Sequence, residues 1–333
     1  MNARTQLIDD FQAAIDGAAL TATNSRIPLD ERVHEFRKAL RLARALLDLA
    51  PSSDPRAMNA LRSTLRSARR ILSTSRDATA VATALDHRHA PTLDDPAKRR
   101  LLATARRAAP AAASTEALLA EAAGSLRDAS GRFVRALPES FDALDLIDRI
   151  VASYRRTRKA FLRADRKRTD FHRLRRRLKE LALQAQHLGR TSSAAHAFAV
   201  DMAADAAQLG PIADLLLLHR LAEAVDSEGT TKKARRRLLA LLHDAFDSAR
   251  IAALENCAPY FARGGRHLRR RLDAALRVDQ ELAMRPRGRE DSEGDVAGGR
   301  RDEAERTDER RNHEGLQSQR VPHKARRDRV VER

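Results

Sequence analysis

The segment VHEFRKALR at residues 33–41 has a counterpart, FHRLRRRLK, 138 positions later at residues 171–179. Both read as an apolar residue, a histidine, any residue, an apolar residue, two basic residues, any residue, a leucine and a basic residue. A second pair, Ser75-Arg76-Asp77 and Ile212-Ala213-Asp214, follows at an offset of 137. A near-constant offset over this distance indicates that a structural unit has been duplicated.

Helical geometry places the basic residues of each copy on one side of a helix, because residues three, four and seven apart share a face. The basic faces comprise His34, Arg37, Lys38 and Arg41 in the first copy, and His172, Arg175, Arg176 and Lys179 in the second. The helix after the first copy repeats the pattern with Arg62, Arg66, Arg69 and Arg76. Packed through their apolar stripes, such helices would border a common basic groove.

Two interpretations of these stripes are open. Like charges at i, i+4 destabilise a helix by a few tenths of a kcal/mol, which favours an anionic ligand that neutralises them. The alternative is a solvated face relieved by acidic residues. On the first stripe Glu35 is expected to point away, whereas Asp48 lies close enough in sequence to pair with Arg44. The duplication and the adjacent arginine stripe favour the anion site.

The composition predicts an all-α protein. Aromatic residues make up only 3% of the 333 residues and tryptophan is absent, whereas alanine, leucine and arginine, all good helix formers, dominate. Proline, glycine, serine and aspartate divide the chain into segments. The predicted helices span about residues 4–19, 29–50, 55–73, a shorter segment to 87, two segments between 94 and 137 on either side of Pro110, and then 139–165, 168–189, 192–209, 211–226, 230–256 and 264–283. Asp30, Asp54, Asp94, Ser140 and Asp170 are expected near helix starts as N-caps or first-turn residues.

The charge predicts a polyanionic partner. Lys and Arg number 64 against 46 Asp and Glu, which gives a formal net charge of +18. Only eight of these cations are lysines, so 56 are arginines, whose planar fork suits phosphate oxygens. Nucleic acid, an anionic membrane surface and another phosphate polymer all remain candidates at this point.

The C-terminal residues 285–333 differ from the rest. They contain 14 basic and 12 acidic residues, a balance of +2, so +16 of the +18 lies on residues 1–284. They show almost no apolar periodicity, and we expect this tail to be disordered.

The sequence resembles the CHAD family, the conserved-histidine α-helical domain, over about residues 5–282. The family pattern places a histidine ahead of basic residues at i+3, i+4 and i+7 in each of two repeats, as in both segments quoted above. An Arg-Asp element follows each repeat, which Asp77 and Asp214 match, although Ala213 stands where the family has arginine. The basic segment Tyr154–Lys159 fits the family's connecting helix.

The resemblance implies two four-helix bundles of long antiparallel helices, related by a pseudo-twofold axis, in residues 1–137 and 138–284. It also implies binding of inorganic polyphosphate in a basic groove between them, and association with polyphosphate granules and their other proteins. The expected site comprises His34, Arg37, Lys38, Arg41, Arg62, Arg66, Arg69, Arg76, Arg155, Arg158, Lys159, His172, Arg175, Arg176 and Lys179, with Asp77 and Asp214 orienting arginines. Whether His34 and His172 contact the ligand or fix helix register stays open.

Sequence-independent nucleic-acid binding is the alternative function. Proteins that bind single strands stack bases on aromatic side chains, each worth about 1–3 kcal/mol. No basic stripe here is interleaved with tryptophan or tyrosine, and Tyr154 is the one candidate. Duplex binding through phosphates alone remains possible.

Signals for other functions are weak. No Walker-type loop, Gly-x-Ser-x-Gly or His-Glu-x-x-His motif occurs, and the His87-Arg88-His89 segment has no third metal ligand nearby. Cys257 is the single cysteine, which we interpret as a buried hydrophobic residue. We therefore expect no enzymatic activity, no cofactor and no metal. With no apolar leader and no apolar run of about 18 residues, we expect a cytoplasmic protein without a membrane segment.

Overall fold

Helices make up all regular secondary structure in the part of the chain that the computed structural model describes, which comprises residues 2–72, 81, 84–85, 95–108, 111–224 and 232–284. They are α1 (Ala3–Thr23), α2 (Leu29–Leu49), α3 (Pro55–Ile71), α4 (Asp95–Ala108), α5 (Ala112–Gly124), α6 (Ala129–Ala136), α7 (Ala143–Phe161), α8 (Arg168–Leu188), α9 (Ser193–Ala224), α10 (Lys232–Phe261) and α11 (Gly265–Met284). The all-α prediction is confirmed over these residues.

The long helix α9 corrects the prediction of two helices, 192–209 and 211–226. The chain continues through Pro211 without a break, although an interior proline costs a helix about 3 kcal/mol. Leu209, Gly210 and Ile212 around it are buried, and α9 packs against both α8 and α10. Burial on two sides outweighs the lost backbone hydrogen bond. In the same way α10 extends past its predicted end at 256 and includes Pro259.

The region between residues 94 and 137 contains three helices rather than the two predicted. A turn after Gly124 ends α5, and α6 begins at Ala129. Gly124 and Ser125 stand at this turn, and backbone hydrogen bonds close it from Leu126 to the Ala123 carbonyl (3.0 Å) and from Ala129 to the Leu126 carbonyl (2.8 Å). The shorter helix predicted to end near residue 87 lies mainly outside the described residues.

The N-caps are partly as predicted. Asp54 accepts hydrogen bonds from the backbone N–H groups of Arg56 (2.9 Å) and Ala57 (3.0 Å), and Asp30 and Asp170 lie in the first turns of their helices. The expectation for Ser140 is wrong, because Asp142 caps α7 in a reciprocal capping box with Asp145. Asp94 lies outside the described residues.

The core is one continuous apolar cluster. Phe36 and Leu40 of α2 and Leu174 and Leu178 of α8, the apolar stripes beside the basic faces, are all at most 2% exposed. Burying each such side chain contributes about 1.5–3 kcal/mol. These stripes therefore fix which side of each motif helix remains for the basic residues.

Residues Met1–Arg285 form one compact unit. The division into bundles at residues 1–137 and 138–284, and the pseudo-twofold axis between them, stay predictions. The tail at residues 285–333, expected to be disordered, lies outside the described residues.

Candidate anion-binding groove

The two helices that carry the duplicated motif, α2 and α8, pack side by side. Gln184 of α8 donates a buried hydrogen bond to the Ala45 carbonyl of α2 at 3.1 Å. A buried amide without this partner would lose about 1–3 kcal/mol, so the contact fixes the register between the helices. Basic side chains of both helices consequently border one seam, which we call the basic groove.

One part of the basic groove is a cleft of about 730 Å³ between α1, α2, α8 and α9. Lys38 and Arg41 from the first motif copy line it together with Lys179 from the second. Its floor is apolar, formed by residues such as Ala39, Leu42 and Leu183, and its border includes Asp10, Glu35 and Arg190. The cleft therefore joins cations of the two copies, as the packing of the apolar stripes implies.

Further along the seam, arginines from three helices converge. Arg44 of α2 is one turn beyond Arg41, and Arg176 of α8 is one turn before Lys179. Partial burial, together with the guanidiniums of Arg44 and Arg176, lowers the pKa of Arg69 on α3. The pKa of Arg176 is lowered in turn by desolvation and by Arg44 among others. The charged forms of Arg69 and Arg176 are thus disfavoured by neighbouring guanidiniums, which a bound anion would relieve.

Arg44, Arg69 and Arg176 with their basic neighbours form what we call the arginine cluster. His172, the histidine of the second copy, lies beside it. Partial desolvation and the guanidiniums of four neighbours lower the pKa of its imidazole. The four neighbours are Arg175, Arg176, Arg220 and Arg69. A phosphate chain in the groove would act in the opposite direction and favour the charged imidazole.

Two carboxylates partly neutralise the cluster. The Asp48 carboxylate lies 2.6 Å from the Arg62 Nε and 3.9 Å from the Arg44 Nε. The Glu180 carboxylate, only 8% exposed, lies 3.3 Å from a nitrogen of Arg44 and 3.3 Å from one of Arg177. Burial and the proximity of Asp48 raise the pKa of Glu180. The pairing of Arg44 with Asp48 expected from sequence is present, but the shorter contact is to Arg62.

The start of the first motif copy is more open than its end. The His34 side chain is 58% exposed and lies 4.0 Å from the Glu35 carboxylate. Glu35 also pairs with Lys38 at 3.1 Å, so the expectation that Glu35 points away from the basic stripe is wrong. Arg37 donates to the Leu72 carbonyl at the end of α3. This bond ties the motif helix to the next helix.

Two of the three predicted cations of the connecting helix α7 contact residues near the α10–α11 turn and not the basic groove. Arg155 lines a separate cleft with residues of α11, and Arg158 donates from Nε to the Phe261 carbonyl at 2.9 Å. Lys159 is exposed. On α3, Arg66 is exposed too, and on α9 Asp214 is half-buried. Arg76 and Asp77 lie outside the described residues.

Sequence reasoning missed four arginines of the cluster: Arg44, Arg156, Arg177 and Arg220. Arg44 continues the arc of the first stripe one turn further, and Arg220 lies seven residues after Ala213, on the same face of α9, so both could have been found by extending the pattern. Arg156 could not, because residues 155–159 are basic around most of the helix. Only packing shows that α7 turns Arg156 towards Arg177 and Glu180.

Neither a metal-ligand cluster nor a membrane-spanning helix occurs among the described residues. Across the described residues, no group of three or more His, Cys, Asp or Glu side chains is placed to hold a metal ion. None of the described helices combines the length and hydropathy needed to cross a bilayer. Cys257 is buried, and desolvation and Asp205 raise its thiol pKa to about 12.

The fold and the groove together define an all-α protein in which a duplicated histidine motif borders a shared basic seam. Residues 6–223 match the model of the CHAD domain family. This match spans more than half of the 333 residues, and the chain belongs to the CHAD family.

A solved structure supports the fold. The crystal structure of the CHAD domain from the plant Ricinus communis matches this chain with a TM-score of 0.53 and 17% sequence identity, covering 77% of this chain and 92% of that one. At this identity the likeness shows the fold alone. A search of curated proteins found no match.

Proposed function

We propose that the basic groove binds inorganic polyphosphate and catalyses no reaction on it. The observation that carries this proposal is the convergence of Arg44, Arg69 and Arg176 from three different helices. Cations held this close on rigid helices repel one another, and a phosphate chain would exchange that repulsion for charge-assisted hydrogen bonds. Membership of the CHAD family is consistent with such a ligand.

The shape of the basic groove favours a linear polymer over a single small anion. Cations follow one another along both helices, from Lys38 and Arg41 to Arg44 on α2 and from Lys179 to Arg176 on α8. A chain that carries about one charge per phosphate unit would contact several of them at once and release their counterions.

The placement of aromatic residues argues against base stacking. Tyr154, the stacking candidate from the sequence, is only 2% exposed. Its ring lies 5.6 Å from that of Phe261, and its hydroxyl is 2.8 Å from the Tyr260 carbonyl. It is therefore a core residue and offers no platform for a base.

A competition measurement tests the ligand. Full-length protein is titrated with long-chain polyphosphate and with duplex DNA at about 150 mM salt, where binding through phosphate contacts alone is weakened. We expect polyphosphate to bind more tightly and to displace the DNA, with no release of orthophosphate. Equal or tighter DNA binding would replace the proposal with the nucleic-acid alternative, and phosphate release would show an enzyme.

Charge-reversal variants test whether polyphosphate binds in the basic groove. We expect Arg37→Glu, Lys38→Glu and Arg41→Glu in combination to abolish polyphosphate binding without loss of helical circular dichroism. The matched control reverses Arg26, Arg127 and Arg135, three exposed cations that line neither the cleft nor the cluster. Equal losses in the two variants would mean that binding follows net charge and has no defined groove.

Granule association would follow from this binding. We expect a fluorescent fusion of the protein to collect on polyphosphate granules in cells that make them, and the charge-reversed variant to remain dispersed. Recruitment that survives the charge reversal would point to another granule protein as the partner.

A further inference from the structure

A second group of basic side chains lies at the turn between α10 and α11, outside the basic groove. A cleft of about 380 Å³ there is lined by Arg155 of α7, by Gly264 and Gly265 of the turn, and by the side chains of α11. The α11 residues are Arg266, His267 and Arg270. This part of the chain follows residue 223, where the match to the CHAD family model ends.

Among the residues that the structure describes, the lining of this cleft carries four basic side chains and no carboxylate. Of the acids nearby, Asp148 and Asp273 both pair with Arg269, the latter at 3.3 Å, and Asp201 lines an adjacent cleft that shares Gly264 and His267 with this one. The first turn of α11 contains no acidic residue either, so its backbone N–H groups add to the positive potential. Three guanidiniums and an imidazole therefore face one small space without an internal counter-charge.

The walls of the cleft are held in place by α7. The Tyr154 hydroxyl lies within hydrogen-bond distance of the Tyr260 carbonyl, at 2.8 Å, and of the Arg263 carbonyl. Arg158 donates to the Phe261 carbonyl at 2.9 Å. These bonds fix the turn against α7, so the cations of the two helices are held together before any ligand arrives.

Gly265 allows Arg155 to lie close to the start of α11. A Cβ at this position would come within 2.9 Å of the Arg155 Nε and 3.0 Å of its Cγ. Any larger residue would push the Arg155 side chain out of its place over the turn. The residue at 265 thus sets the distance between the cation of α7 and those of α11.

We propose that this cleft is a second phosphate site, in which Arg155, Arg266 and Arg270 bind one phosphate group independently of the basic groove. Guanidiniums donate pairs of hydrogen bonds to phosphate oxygens, and three of them from two helices can surround a single tetrahedral group. The shared chemistry is a phosphate dianion, supplied either by free orthophosphate or by the end of a phosphate chain.

The histidine of the cleft provides a local readout. Partial desolvation and the guanidiniums of Arg263, Arg271 and Arg270 lower the pKa of His267, and its Nε2 lies 2.9 Å from an Arg263 nitrogen. A phosphate in the cleft would oppose these charges and raise that pKa. Binding is therefore visible in the titration of one imidazole by NMR.

The experiment uses the full chain with Arg37, Lys38 and Arg41 reversed to Glu, so that the groove is disabled. Orthophosphate and tripolyphosphate are titrated separately, and the His267 signal, assigned by its loss in His267→Gln, is followed with pH. We expect saturable binding of at least one of the two anions and an upward shift of the His267 pKa. Tighter tripolyphosphate binding identifies a chain end as the ligand, and equal binding identifies free phosphate.

Three variants and one control locate the site. Arg155→Ala and Arg270→Ala should each weaken binding about tenfold or more, the range for one lost charge-assisted hydrogen-bonding group. Gly265→Ala should weaken it by displacing Arg155, whereas Arg277→Ala, which removes an exposed arginine of the same helix outside the cleft lining, should leave it unchanged. A His267 titration that neither anion alters, or equal losses in all four variants, would overturn the proposal while leaving polyphosphate binding in the groove untouched.

Discussion

Glu180 shows how a single residue controls the charge of the groove. Its carboxylate lies between Arg44 of α2 and Arg177 of α8, 3.3 Å from each, and its pKa is raised because burial and Asp48 disfavour the ionised form. The same two guanidiniums are needed by a phosphate ligand. Glu180 and the ligand therefore compete for one pair of cations.

Replacing Glu180 with glutamine removes this competition. We expect Glu180→Gln to strengthen polyphosphate binding severalfold and to steepen its dependence on salt, because both arginines become available to the polymer. Lower pH should have the same effect on the wild type, since protonation of Glu180 frees the two arginines. Isothermal titration at several salt concentrations measures this, with the exposed Glu121→Gln as control. Weaker binding would instead make Glu180 a residue that positions Arg44 and Arg177.

Asp205 is a second buried acidic residue, and its ionisation lowers the stability of the folded protein. It is only 5% exposed on α9, and burial raises its pKa to about 6, although a hydrogen bond from the Cys257 thiol partly opposes this. In the unfolded chain the carboxyl group ionises at about pH 4. The free energy of unfolding should therefore fall as pH rises from about 4 to 6 and stay reduced above that range.

Asp205→Asn removes the buried charge and keeps an oxygen that can accept from Cys257. We expect this variant to be more stable than the wild type at pH 8, where Asp205 is ionised, with little gain at pH 4. Urea unfolding at the two values of pH measures the difference. A gain of equal size at both would assign the effect to packing.

At the scale of elements, the turn between α8 and α9 sets how these two long helices meet. A Cβ at Gly189 would lie 2.8 Å from the His196 Cα and 2.9 Å from its backbone nitrogen. Those atoms belong to the helix backbone of α9 and cannot move aside as a flexible side chain can. The absence of a side chain at Gly189 is thus a condition for the packing of α8 on α9.

Gly189→Ala should destabilise the protein by about 1–3 kcal/mol, the range for overpacking in a close contact. Gly17→Ala is the matched control, because nothing lies within 4 Å of an added Cβ at that position in α1. That change should stabilise the protein by about 0.5–1 kcal/mol, since alanine is the better helix former. Thermal unfolding of both variants compares them, and equal stability would mean that the turn relaxes to admit the methyl group.

At the scale of the whole molecule, the charge that attracts a polyanion lies on the helical body. Of the net charge of +18, residues 1–284 carry +16, and Met1–Arg285 form a compact unit. The nearly balanced tail adds little long-range attraction.

Removal of residues 285–333 should therefore change polyphosphate affinity less than twofold. Titration of the two chains under the same salt conditions makes the comparison. A loss of tenfold or more would show that the tail contacts the polymer directly, through some of its 14 basic residues.

The helical class, most helix limits and the two basic faces could be predicted from the chain's residues alone, because these depend on periodicity within one segment. The faces of α2 and α8 follow from spacings of three and four residues, and their buried stripes at Phe36, Leu40, Leu174 and Leu178 followed from the same pattern. Local punctuation failed where burial outweighed it, as at Pro211 inside α9.

Which basic residues meet depends on contacts between segments that are distant in the chain. Packing joins Lys38 and Arg41 to Lys179, adds Arg44 and Arg156, and places Arg155 at the α10–α11 turn, apart from the groove. Neighbouring residues of a basic run such as 155–159 differ in direction by about 100°, so a spacing in sequence cannot say which of them faces a partner helix. The packing of apolar stripes from distant segments fixes that choice.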